Sequence, residues 1–183
     1  VTIEKFDSVN CLVLNDADKY DYAKVERLFP ESTMGIIELG IVPHQDDYGN
    51  LQIDLSDKNG NPAIRLIFDS ASYIIIKDGY IYSKISQYEK GIIYNIKIQF
   101  DTKNRSYSLY LNNEQKFNYR LFFAPVKSLC RITFRTGWVR RYPNSDSPAV
   151  HTYDVPDAGE KTINAKYSIL YLKTKTVENY DKK

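Results

Sequence analysis

Apolar residues in this chain recur at every second position over short runs, and that period of two restricts the fold more tightly than any other feature. Over 51–56, Leu51, Ile53 and Leu55 alternate with Gln52, Asp54 and Ser56, so one set meets a core and the other faces away from it. Residues 57–60, Asp-Lys-Asn-Gly, supply a turn whose glycine accepts positive φ. Ile64, Leu66 and Phe68 then resume the alternation, and the pair predicts a hairpin. The segment 73–87 predicts two more strands broken at Lys77-Asp78-Gly79, because Asp-Gly is a strong hairpin signal. Register is open there, since Tyr73 to Ile76 is apolar on both faces.

The clearest unit is 92–116. Tyr94, Ile96, Ile98 and Phe100 alternate with Asn95, Lys97 and Gln99, a polar turn follows, and Tyr107, Leu109 and Leu111 return. Tyr94 and Tyr107 therefore fall in core register. Residues 128–137 and 165–175 predict the last two strands, separated by a long polar stretch from Trp138 to Lys166. Residues 16–30 carry both periods: Tyr20, Ala23 and Leu28 suit a helix, while Ala23, Val25, Arg27 and Phe29 suit a strand. The strand is preferred because its neighbours are strands. Roughly nine to twelve short strands, with turns every 8 to 12 residues or so, predict an all-β sandwich or barrel. The long connections favour a two-sheet antiparallel sandwich, one domain over residues 1–175 with a frayed tail at 176–183.

Composition excludes several classes. Hydrophobic residues at 43% and charged residues at 26% are those of a chain that builds a core. The formal charge of +2 is too balanced for the basic footprint of a nucleic-acid binder. No apolar run approaches the roughly 20 residues of a membrane-spanning helix. The chain begins with Val1 and lacks a signal-peptide pattern, which predicts a processed protein or a segment of a longer one. Cys11 and Cys130 belong to no metal-binding spacing; Cys130 alternates with Ile132 and Phe134 as a buried thiol would, and a Cys11 to Cys130 disulfide is the alternative.

The order of these elements resembles the concanavalin A-like lectin/glucanase superfamily, jelly-roll sandwiches that include laminin-G-like modules and the domains attached to bacterial polysaccharide-degrading enzymes. The matching pieces are 10–16 (NCLVLND), 34–43 (MGIIELGIVP), 91–113 around the central hairpin, and 167–175 (YSILYLKTK). The resemblance spans about residues 8 to 175. It implies a module that binds a carbohydrate outside the cytoplasm (extracellular, periplasmic or at the cell surface), beside a catalytic domain of the same parent protein. The Glu-x-Asp-x-x-Glu type motif of the superfamily's glucanases does not occur here. No cofactor is required by this reading, but calcium is a common structural ion in such sandwiches. Asn15, Asp16 and Asp18 offer hard oxygen ligands at close spacing.

Sugars stack their apolar faces on aromatic rings while planar polar groups take the hydroxyls. Strand parity predicts one polar sheet face for that purpose. With Ile64, Leu66 and Phe68 inward, Arg65 points outward, and with Ile132 and Phe134 inward, Arg131, Thr133 and Arg135 do the same. Together with Gln52 and Asp54 they form a surface able to grip hydroxyls or, through bidentate arginine contacts, the carboxylates of an acidic polysaccharide. A solvated face laced with cross-strand ion pairs is the alternative. The second candidate is the loop after Gly137, where Trp138, Arg140, Arg141, Tyr142, Asn144, Asp146, His151, Tyr153 and Asp154 crowd together. Trp138 suits a stacking platform or a plug for the end of the sandwich. The same loop holds the arginine, tyrosine and histidine types that a lyase uses on uronic acids, so an enzyme stays open beside the binding module, as does a laminin-G-like protein-binding module. G-x-S-x-G and phosphate-binding glycine motifs are absent from the sequence.

Overall fold

The computed structural model describes residues 1–17, 22–46, 49–79, 81–136 and 165–177. Thirteen strands occur among these residues: β1 (Thr2–Phe6), β2 (Val9–Asp16), β3 (Lys24–Ser32), β4 (Met34–Pro43), β5 (Leu51–Ser56), β6 (Pro62–Phe68), β7 (Tyr73–Asp78), β8 (Ile81–Gln87), β9 (Tyr94–Asp101), β10 (Ser106–Leu111), β11 (Glu114–Leu121), β12 (Leu129–Thr136) and β13 (Ala165–Val177). They form a seven-stranded sheet in the order β1-β2-β13-β4-β9-β10-β11 and a six-stranded sheet in the order β3-β12-β5-β6-β7-β8. Neighbours pair antiparallel throughout. The two sheets make the sandwich that the alternation predicts.

Turn chemistry sets the registers. The β7 to β8 turn holds Gly79 at φ 60°, as the Asp-Gly dipeptide predicts. Leu111 pairs with Glu114 across a two-residue loop in which Asn112 and Asn113 have φ of 50° and 67°, the conformation that matches strand twist and that asparagine tolerates. That loop starts β11, a strand not predicted above, since its sequence EQKFNYRL lacks clean alternation. The stretch 24–32 is a strand, and β3 forms one edge of the six-stranded sheet. Pro30 is accommodated there because an edge strand leaves one side of its ladder unpaired. Arg27 reaches from β3 to the other sheet, where its Nη1 donates to Leu172 O at 2.8 Å.

Between the sheets, Ile37, Leu39 and Ile41 of β4 with Ile96, Ile98 and Phe100 of β9 meet Ile53, Leu55, Ile64, Leu66, Ile132 and Phe134. Phe68 closes one end of this layer, edge-to-face with Tyr88, Tyr94 and Tyr167 at centroid distances of 5.2, 5.8 and 6.1 Å. Tyr94 and Tyr107 are buried as their register predicts, and burial pushes both phenols above their ordinary range. Polar ties join the sheets near their margins. Thr136 Oγ1 donates to Asp16 Oδ2 and accepts from Ala23 N, while Arg120 of β11 pairs with Asp78 of β7. Cys11 is buried, Cys130 is half-buried, and both are free thiols, so the disulfide alternative falls.

Replacing Phe68 by Ala removes three ring contacts at a fully buried position. The expected cost is about 3–5 kcal/mol, read as a fall in the urea midpoint with an unchanged slope. A second expectation concerns His44, whose Nε2 lies 2.7 Å from Ser168 Oγ. Desolvation, and then Lys166, lower its pKa below the ordinary 6.5, while Glu4 opposes them. The neutral ring is therefore favoured by folding. Its contribution is complete above pH 6.5 and is lost as pH falls through the lower folded value. His44→Gln flattens that part of the stability-against-pH curve.

Candidate functional site

The arginine-bearing face exists as one surface. Its cross-strand rows run Ile67, Gln52, Arg135, Lys24; then Arg65, Asp54, Thr133, Glu26; then Ser56, Arg131, Leu28. Parity therefore brings Gln52, Asp54, Arg65, Arg131 and Arg135 together on the outer side of the six-stranded sheet. The face is, however, closed over much of its breadth, although Lys24, Glu26 and Leu28 at its β3 edge are exposed. Arg65 and Gln52 are each 2% exposed and Arg135 6%. Arg65 donates from Nε to Asp54 Oδ1 at 2.6 Å and from Nη2 to Asp54 Oδ2 at 2.5 Å, a bidentate fork. Arg131 Nη1 lies 3.1 Å from Glu26 Oε1, and Glu26 also accepts from Thr133 Oγ1. Arg135 stacks 3.8 Å above the centroid of Tyr22. The Phe123 ring lies 5.9 Å from the Arg65 guanidinium and 5.2 Å from Lys77 Nζ, and Phe123 N donates to Ala63 O. Each arginine already holds a carboxylate or an aromatic ring, because leaving a guanidinium unpaired in so buried a setting is costly.

Of the proposed cation ligands, Asn15 and Asp16 are consecutive in β2 and so lie on opposite faces, Asn15 exposed and Asp16 buried against Thr136. Asp18 lies outside the described residues. So do Trp138, Arg140, Arg141, Tyr142, His151 and Tyr153. Among the described residues no three of His, Cys, Asp or Glu cluster as metal ligands.

The outer side of the seven-stranded sheet is open instead. One row across it reads Lys173, Glu38, Lys97, Tyr110, Gln115, and the next reads Lys175, Ile36, Gln99, Ser108. A groove of about 700 Å³ runs over the second row, bounded by Tyr110, Tyr119, Asn118 and Asn104. Ser108 Oγ donates to Asn118 Oδ1 at 3.0 Å, which fixes one wall, and Lys97 Nζ sits 3.9 Å from the Tyr110 centroid. Two rows from the groove Tyr171 packs against Gly40: a Cβ there would come within 2.6 Å of the ring. Its hydroxyl donates to Asn95 Oδ1 at 2.8 Å. This surface was missed in the sequence because one wall, Gln115, Asn118 and Tyr119, belongs to β11. The part on the central hairpin was legible as its polar partners, Asn95, Lys97, Gln99, Ser108 and Tyr110.

Comparison with known proteins follows the same lines. The family model described as sialidase-like, CBM domain, matches residues 1–151. A solved sialidase is similar at 34% identity and a TM-score of 0.78, over 96% of this chain and 17% of its own. The chain thus corresponds to less than a fifth of that protein. The alginate lyase AlgAT5 of polysaccharide lyase family 7 is similar at 11% identity and a TM-score of 0.59, over 94% of this chain and 81% of its own. The Emp46p carbohydrate recognition domain, in a potassium-bound form, gives 12%, 0.56, 96% and 87% in the same order. At such identities the last two show the sandwich fold alone. No curated protein sequence matches the chain.

Breaking the buried fork should expose its structural weight. Arg65→Ala leaves Asp54 without its partner in a half-buried row and is expected to cost about 3–5 kcal/mol in chemical denaturation. A double change, Arg65→Met with Asp54→Leu, is expected to recover most of that loss.

Proposed function

Because the chain belongs to the sialidase-like CBM domain family, we propose that it is a non-catalytic carbohydrate-binding module that holds a glycan for a catalytic domain of the same parent protein. The observation that carries this reading is the family match over most of the chain, on a sandwich whose seven-stranded sheet leaves an aromatic and amide-lined groove open. The 34% identity to one part of a sialidase supports a module set beside an enzyme. Such a role places it outside the cytoplasm, where glycans are displayed.

Several carboxylates of the outer faces are already engaged, which supports binding over chemistry. Asp54 is committed to Arg65, Glu26 to Arg131, and Asp101 to the backbone and side chain of its own turn. A glycosidase instead needs one carboxyl group protonated and a second free to attack or to activate water. Of the arginines that suggested an acidic polysaccharide, Arg65 and Arg131 hold carboxylates and Arg135 lies over the Tyr22 ring, which weakens the case for an anionic glycan among the described residues of that face.

A glycan array run with parallel assays for new reducing ends and for unsaturated-uronate absorbance tests the reading. Retention without turnover is the expected result. Turnover by the purified chain would replace the module with an enzyme, and absence of any retained glycan would move the function to protein binding.

A further inference from the structure

The groove on the seven-stranded sheet carries more chemical information than its openness. Its polar lining is almost wholly uncharged: the amides of Gln99, Gln115, Asn104 and Asn118 with the hydroxyls of Ser106 and Ser108. Two charged groups border it. Asp101 accepts from Lys103 N, Asn104 N and Asn104 Nδ2, so its oxygens are engaged. Lys175 stands at the opposite end of the Ile36, Gln99, Ser108 row. Gln99, half-buried on the floor, makes no side-chain hydrogen bond among the described residues, which leaves a donor pair and an acceptor for a ligand.

The wall opposite is built by an irregularity. The register of β10 against β11 shifts on both sides of Leu109, and Tyr119 adopts φ 57°, a region that bulky residues rarely occupy. Bulges re-aim side chains at sheet edges, and here the result is a tyrosine 75% exposed beside the groove. A strained, exposed aromatic ring set against the unengaged Gln99 amide, with Asn104, Asn118 and Gln115 each keeping part of their hydrogen-bonding capacity, is the constellation that receives a sugar, ring face on ring face and hydroxyls on planar amides.

We propose that this groove is the ligand site of the module and that it takes an uncharged, hydroxyl-rich pyranose chain. The assignment rests on the carbohydrate-binding reading and adds both the place and the charge class. Amides match hydroxyls in both senses, donating and accepting, whereas a carboxylate-bearing sugar would find Lys175 as the one cation among the described lining residues, with Lys97 drawn onto the Tyr110 ring.

The test uses the whole chain on an array of neutral oligosaccharides printed beside their uronate- and sialate-bearing counterparts, followed by calorimetry with the best neutral hit. Tyr119→Gly keeps a backbone that glycine adopts freely while removing the ring, and Gln99→Leu keeps the volume while removing the amide. Each is expected to weaken binding about tenfold with the melting temperature within a degree or so of the parent's. Lys84→Ala, on the other sheet, is expected to bind as the parent does. Affinity should hardly change between low and high salt, because no ion pair is formed. Binding that survives both groove variants but falls with Arg131→Ala would overturn the groove and leave the carbohydrate-binding reading standing. Binding confined to acidic sugars, lost in high salt and in Lys175→Gln, would overturn the charge class. If the unaltered chain retains no glycan at all, the carbohydrate-binding reading itself fails.

Discussion

Phe68 is fully buried between the two sheets, and its edge-to-face contacts with Tyr88, Tyr94 and Tyr167 hold β6, β9 and β13 to a common end of the core. Aromatic pairs of this kind specify angle as well as distance, so they set how one sheet lies on the other. The aliphatic layer of Ile37, Leu39, Ile53, Leu66 and Ile98 then fills the space so defined. Everything displayed on the outside inherits its position from that inner registration, since alternate residues of every strand are bound to one side or the other.

The two outer faces use that inheritance differently. On the six-stranded sheet opposite charges are paired within a row, as Arg65 with Asp54, or between adjacent rows, as Arg131 with Glu26, before any ligand arrives. On the seven-stranded sheet one row carries Lys173, Glu38 and Lys97, but the row under the groove has Lys175 as its one charge among four residues, and the bulge at β11 leaves Tyr119 beside amides with unused hydrogen-bonding capacity. Both faces are polar. Whether polar groups are already satisfied by the fold or remain available decides which face can recognise something else.

Much of this was legible in the sequence. Alternation in 51–56, 62–68, 94–111 and 129–135 located the strands, assigned the core side of each, and put Arg65, Arg131 and Arg135 on one surface. Burial of that surface was not legible. It depends on partners far away in the chain, such as Glu26 for Arg131 and Phe123 for Arg65, which local periodicity does not connect. The groove was half legible: Gln99, Ser108 and Tyr110 follow from parity, but Asn118 and Tyr119 lie on a bulged strand whose irregular pairing breaks the period of two. The Asn112-Asn113 pair was the available signal for that strand, because consecutive asparagines after an alternating run suit a tight hairpin loop.

Pro30 in β3 bears on how the molecule meets its neighbours. An outermost strand exposes a line of unpaired backbone groups that an unrelated extended peptide can join, the first step towards fibrous aggregates. A pyrrolidine nitrogen has no hydrogen to offer, so the line is interrupted near the C-terminal end of the strand, between Phe29 and Glu31. Crowded solutions therefore find the rim of the smaller sheet a poor template for growth, and the protein can present an adhesive surface to sugars without becoming adhesive to itself along that border.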